Sequence, residues 1–188
     1  MKKLIFSVFL VVIVSSAANV LFSQDEQMKK WMEYSTPGDQ QKQMEKCAGN
    51  WKTNEKFWMA PGSEATESNG TATGEMILGG RYLVMKHKGT MMGMPFEGMS
   101  LDGYDNATKM YISVWVDNMG TGIMYMTGKW IEDKKLVEYK GKMTDAMTGG
   151  QSDVRSTMQF KDDGSMYMEM FGYEKGTEFK WMEMTMTR

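Results

Sequence analysis

From Gly49 to the C-terminus, apolar and polar positions alternate with a period of two, and clusters of turn-forming residues interrupt the alternation at close intervals. Period two places successive side chains on opposite faces of an extended strand. The pattern predicts ten strands, at 51–59, 65–78, 81–89, 95–104, 109–117, 122–130, 135–141, 151–161, 165–172 and 177–187. Turns fall at Pro61-Gly62, Gly79-Gly80, Asp105-Asn106, Asp133-Lys134, Gly149-Gly150, Asp162-Asp163-Gly164 and Gly176. Asn69-Gly70 predicts a bend, a bulge or a division of the second strand. Short turns between so many strands predict an all-β domain, a single antiparallel up-and-down β-barrel of about ten strands, because closure removes exposed edges.

The stretch 96–117 sits at the centre of this pattern as an antiparallel hairpin around Asp105-Asn106-Ala107-Thr108. On its second arm Met110, Ile112, Val114 and Val116 share one face, while Tyr111, Ser113, Trp115 and Asp117 share the other. Either face could look inward, and the choice decides what the barrel can hold.

Before Gly49 the period is helical. Met28, Trp31 and Met32 stand at i, i+3 and i+4, as do Met44, Cys47 and Ala48, with Thr36-Pro37-Gly38 ending the first helix. Trp31 and Met32 could cover one barrel mouth. The chain opens Met1-Lys2-Lys3, then an apolar run from Leu4 to Val14 and the small residues Ser15 to Ala18. That is the layout of a secretory signal peptide, although a retained anchor is the alternative because apolar character resumes at Val20. The unbroken apolar run is shorter than the ~20 residues of a membrane span. The expected organisation is therefore a signal peptide over 1–23, a helical lead-in over 24–48 and a barrel over 49–188. Such a protein would be exported to the periplasm or beyond the cell, with no stable span after cleavage.

Removing 23 of the 188 residues takes away Lys2 and Lys3 and moves the formal charge from −2 to −4. A mildly acidic domain without a basic block offers nothing to nucleic acid. Cys47 is the only cysteine and His87 the only histidine, which excludes an intramolecular disulfide and any two-histidine metal motif. Methionine is the unusual feature. After residue 23 the 23 methionines outnumber Leu, Ile and Val together, so thioethers must supply much of the core.

Gly49-Asn50-Trp51 is similar to the Gly-x-Trp that opens the barrel of lipocalin-like (calycin-like) proteins, where the tryptophan packs beneath an arginine of the last strand. Arg188 ends the last strand here. A closer resemblance covers nearly all of the chain after residue 36. Pro37-Gly38, Gly49-Asn50-Trp51, Trp58 with Pro61-Gly62, Leu78-Gly79-Gly80-Arg81 and Gly93-Met94-Pro95-Phe96-Glu97-Gly98 carry its first half. Gly103-Tyr104-Asp105-Asn106, Trp115-Val116-Asp117, Thr148-Gly149, Arg155, Glu169 and Thr187-Arg188 carry the second. With these segments the chain resembles the bacterial family called domain of unknown function 1579. The resemblance implies a barrel but no activity. It departs at Gln41, where the family usually has a histidine, so no role of that histidine carries over.

Three sets of residues could carry chemistry. The first is polar: Glu55 on the face of Trp51, Arg81 and His87 on the third strand, Tyr104, Trp115 and Asp117 on the central hairpin, and Arg155 and Glu169 on late strands. Inside a barrel these could bind a small apolar or amphipathic molecule, with Trp115 and Tyr104 stacking on it and Arg81 or Arg155 meeting an anionic head. They could instead be internal ion pairs that hold register, and buried arginines would need those carboxylates. The second set is the alternate methionines, such as Met166/Met168/Met170 and Met182/Met184/Met186. Thioethers favour Cu(I), so copper or silver handling is an alternative to a cavity lining. The third is Met91-Met92-Gly93-Met94-Pro95-Phe96, either a lid or a tight turn. No spacing specifies a reaction, a cofactor or a metal, and oligomeric state is not legible. The expected function is non-enzymatic binding, and the enzymatic alternative would work from Arg81, Asp117, Arg155 and Glu169.

Overall fold

A computed structural model describes residues 24–188, so the expected signal segment over 1–23 lies outside the described residues. The chain separates into two units at Thr36 and Pro37. In the first, residues 24–35 are helical (α1), and Thr36 terminates them by bonding its N–H and its hydroxyl to the Met32 carbonyl. Met28, Trp31 and Met32 are exposed on α1.

The second unit begins with a short helix, α2 (Asp39–Glu45). Gln41 serves both ends of a local network, accepting the Gly38 N–H at 2.8 Å and donating to the Tyr104 carbonyl at 3.0 Å. The residue that departs from the family pattern is therefore buried and structural here. Ten strands follow: β1 (Gly49–Phe57), β2 (Thr66–Ile77), β3 (Tyr82–Met91), β4 (Met94–Asp105), β5 (Met110–Asp117), β6 (Met124–Ile131), β7 (Leu136–Thr144), β8 (Gln151–Phe160), β9 (Met166–Glu174) and β10 (Thr177–Thr187). Each pairs antiparallel with its neighbours in the chain, and β10 closes on β1 from Lys52↔Thr187 to Phe57↔Met182. The protein is a closed ten-stranded up-and-down β-barrel.

Local chemistry accounts for the turns. Asp105 Oδ1 accepts the Ala107 N–H at 2.8 Å, which shapes the turn of the central hairpin. Met92 and Gly93 both have positive φ, so the 91–94 segment is a two-residue hairpin turn and not a lid. The irregularity expected at Asn69-Gly70 affects only one side of β2. Its register with β1 runs unbroken through both residues, while its ladder with β3 ends at Thr71↔Lys88. A Cβ at Gly70 would sit 2.5 Å from the Lys88 carbonyl oxygen, so glycine there permits close approach of the strands. The register shift falls in β10, between Lys180 and Met182.

One end of the barrel interior is filled. Met44 and Cys47, from α2 and the turn after it, join Trp51, Leu83, Met85 and Met186 in the main buried cluster. Trp51 is 3% exposed, and its indole N–H donates to the Cys47 carbonyl at 2.8 Å. The Arg188 guanidinium lies over the indole, 4.4 Å from the ring centroid, and bonds the Lys46 and Ala48 carbonyls. Gly49 has φ +108°, and a Cβ there would stand 3.0 Å from the Arg188 guanidinium. Gly-x-Trp and the last arginine thus form one unit that ties the first strand, the last strand and the α2 turn together. Trp51→Ala should cost about 3–5 kcal/mol in denaturant titration, as for other buried large aromatics. Arg188→Ala should cost less, about 1–2 kcal/mol, because only the cation–π contact and the carbonyl bonds are lost.

Candidate functional site

Alternation around the closed barrel assigns every strand residue to the inside or the outside. On β5 the inward face is Tyr111, Ser113, Trp115 and Asp117, and the apolar set Met110, Ile112, Val114 and Val116 faces out. The outward set continues onto neighbouring strands through Leu101↔Val114 and Val114↔Tyr125. The interior is therefore more polar on this wall than a packed core would be.

The strands enclose a cavity of about 770 Å³. Its walls differ in kind. On β8, β9 and β10 the inward positions are largely thioethers, among them Met158, Met166, Met168, Met170, Met182 and Met184. Methionine fills irregular space without fixing one shape, which suits an adaptable apolar wall. The facing wall, β3 to β5, carries rings and polar groups.

Trp115 dominates that wall. Its ring lies between His87, with centroids 5.4 Å apart and edge-on, and Phe96, with centroids 6.3 Å apart and stacked. The ring also covers Gly98, where any Cβ would collide with the indole. Its N–H donates to Asp117 Oδ2 at 2.7 Å, and Asp117 Oδ1 accepts the Met119 N–H at 2.9 Å. One carboxylate therefore fixes both the indole and the start of the loop over 118–123, which lines the cavity rim. Asn118 holds the same loop to β4 through bonds with Pro95 and Glu97.

Deeper on the same wall, Ser100 and Ser113 face Asp102. The Ser100 hydroxyl donates to Asp102 Oδ2 at 2.5 Å, and Ser113 bonds the same carboxyl. Asp102 borders the cavity but is enclosed by the barrel wall, and this burial raises its pKa against the lowering effect of the two hydroxyls. Tyr139, whose ring crowds Gly128, and Tyr111 border the same space. Burial pushes both phenols up, Tyr139 most, so both stay protonated. Burial also raises the Glu55 carboxyl, pushes the Cys47 thiol up to about 12, and pushes His87 down to about 4.

Of the residues singled out in the sequence, Glu55, His87, Trp115 and Asp117 line this cavity. The other five stand elsewhere. Trp51 belongs to the plug at the closed end. Tyr104 packs edge-on against Tyr111 at 4.9 Å and borders a separate recess of about 430 Å³ with Gln40 and Lys129. Arg81 is exposed in the β2–β3 turn, where its guanidinium bonds the Leu78 carbonyl. Arg155 is on the outer face, because Val154, Ser156 and Met158 take the inward positions of β8. There it makes two 2.8 Å bonds to Glu178 and lies over Phe171. Glu169 is also outside, since Met168 and Met170 face in, and it pairs with Lys180 at 3.2 Å. The expected interior set of Arg81, Asp117, Arg155 and Glu169 is not brought together. Ser100, Asp102 and Tyr139 were missed, although Asp102 shares the parity of Phe96 and Tyr104 along β4, and Ser113 was placed on the face of Trp115 without a role.

His87 offers a direct check on how dry this wall is. Its pKa lies below the ordinary 6.5 in the folded state, so folding favours the neutral ring. That stability is complete above pH 6.5 and is lost as the pH falls toward 4. Between pH 7 and pH 4.5, wild type should lose about 2 kcal/mol more stability than His87→Phe, read from denaturant midpoints at each pH. Equal pH slopes would mean that the imidazole is hydrated.

A family model described as "Protein of unknown function (DUF1579)" matches residues 36–188, and the chain belongs to that family. No curated protein matches the chain.

Proposed function

We propose that this DUF1579 barrel is a non-enzymatic carrier or receptor for a small, mainly apolar ligand. The observation that carries the reading is the cavity itself, about 770 Å³ inside a closed barrel, with a thioether wall facing an aromatic one. That volume lies within the usual range for small-molecule sites, which are largely apolar with a few polar groups that orient the ligand. Trp115 offers a flat surface already held in place by His87, Phe96 and Asp117, so little ordering is required when a ligand stacks on it. The methionine wall can adjust to ligands of different outline. Export through the segment over 1–23 would place this binder in the periplasm or outside the cell.

A neutral hydrophobic dye such as Nile red, or a long-chain alcohol, should quench the tryptophan fluorescence saturably and raise the melting temperature. Trp115→Phe, which keeps a ring but loses the tie to Asp117, should weaken binding about three- to tenfold. Arg155→Ala should leave the affinity unchanged, because Arg155 points away from the cavity. If a broad panel of apolar molecules changes neither fluorescence nor melting temperature, the barrel is structural and the proposal fails.

A further inference from the structure

Resting on the binding reading above, we infer that Asp102, with Ser100 and Ser113, recognises a hydrogen-bond-donating head group, above all a primary ammonium, and that the cavity discriminates against carboxylate amphiphiles. The charge inventory of the cavity is one-sided. Among the described residues, Glu55, Asp102 and Asp117 line it, against the single cation Lys88, whose side chain is 69% exposed and lies 3.1 Å from Glu97 on the outer surface. The arginines that would receive an anionic head lie elsewhere: Arg155 on the outer face, Arg81 in a turn, and Arg188 over Trp51. His87 is neutral at physiological pH and supplies no cation.

Within that set Asp102 stands apart. Asp117 has the indole and a backbone N–H as partners, and Glu55 interacts with Thr53 and its own backbone. Asp102 has two serine hydroxyls and, among the described residues, forms no ion pair. An enclosed carboxyl without a cation either stays protonated or takes a cationic partner, because an unpaired buried charge is costly. An ammonium group carries three donors and a full charge, so it would both neutralise Asp102 and use its remaining acceptor sites. A hydroxyl head could donate a neutral bond to the same oxygens. A carboxylate could do neither, and would meet acids of its own sign. The apolar tail of such a ligand would run from this point along the methionine wall and past Trp115 toward the rim at 118–123.

The test compares dodecylamine, dodecanol and dodecanoate on the full folded chain by calorimetry, at one pH near neutrality and below micelle-forming concentrations. Wild type should bind the amine about tenfold or more tightly than the carboxylate, with the alcohol between them, as expected for one charge-assisted bond. Asp102→Asn, which keeps shape and bonding capacity, should abolish the amine's advantage over the alcohol while alcohol binding persists. Glu75→Gln, which removes a charge from the outer face, should leave the order unchanged and so exclude a general effect of net charge. Carboxylate binding as tight as amine binding in wild type would overturn the inference. So would an amine preference that survives Asp102→Asn. In both cases the binding reading would stand, whereas failure of all three amphiphiles to bind would remove both.

Discussion

Closing β10 onto β1 is the constraint from which the other features follow. Once the ladder from Lys52↔Thr187 to Phe57↔Met182 is made, each strand residue has either an interior or an exterior address, and no edge remains to relax the choice. A barrel of eight strands is just wide enough to be filled by side chains, and width grows with strand number. At ten strands, filling is possible only where something is inserted. At one end that insertion is Met44 and Cys47 beside Trp51. Farther along, no residue of the second unit is inserted in a comparable way, and the cavity is what that unit leaves open.

The plug also explains why the first and last residues of the barrel belong to one physical unit. Arg188 lies on Trp51, bonds carbonyls in the α2 turn, and occupies the space that a side chain at Gly49 would need. Barrel closure, end closure and the Gly-x-Trp triplet are therefore coupled: removing any one exposes the same indole. This end carries the tight packing, so the other can remain hollow without loss of register.

Two glycines on the inner surface shape the hollow part. Gly98 and Gly128 let the rings of Trp115 and Tyr139 lie against the wall. Rings that would otherwise cross the barrel are folded back against it, which widens the cavity and turns aromatic faces toward it. The polar groups sit behind and between these rings. Asp117 is used up in holding the indole, whereas Asp102 keeps capacity for a partner. The outside of the barrel carries the opposite logic, with charges paired across strands, as in Arg155 with Glu178 and Lys180 with Glu169, and along β10, as in Lys180 with Glu183.

Period-two alternation, turn chemistry and a change from helical to extended pattern at Gly49 are local properties, and they determined the strand number, the turn positions and the break at Pro37 without reference to the rest of the chain. Family membership was legible for the same reason, since its segments are short and contiguous. The Met166, Met168 and Met170 spacing held the information that Glu169 lies on the opposite face from those methionines, although Glu169 was expected in the interior. Which face turns inward was not local. On β5 one face was wholly apolar and the other mixed, and simple burial would have favoured the apolar one; the structure chose Tyr111, Ser113, Trp115 and Asp117. A cavity tolerates polar groups that a packed core would reject, and whether a barrel has a cavity depends on strand count, closure and the plug acting together. The same reason hid Asp102, an isolated carboxyl whose significance arises only when Ser100, Ser113 and the absence of any inward arginine meet around one enclosed space.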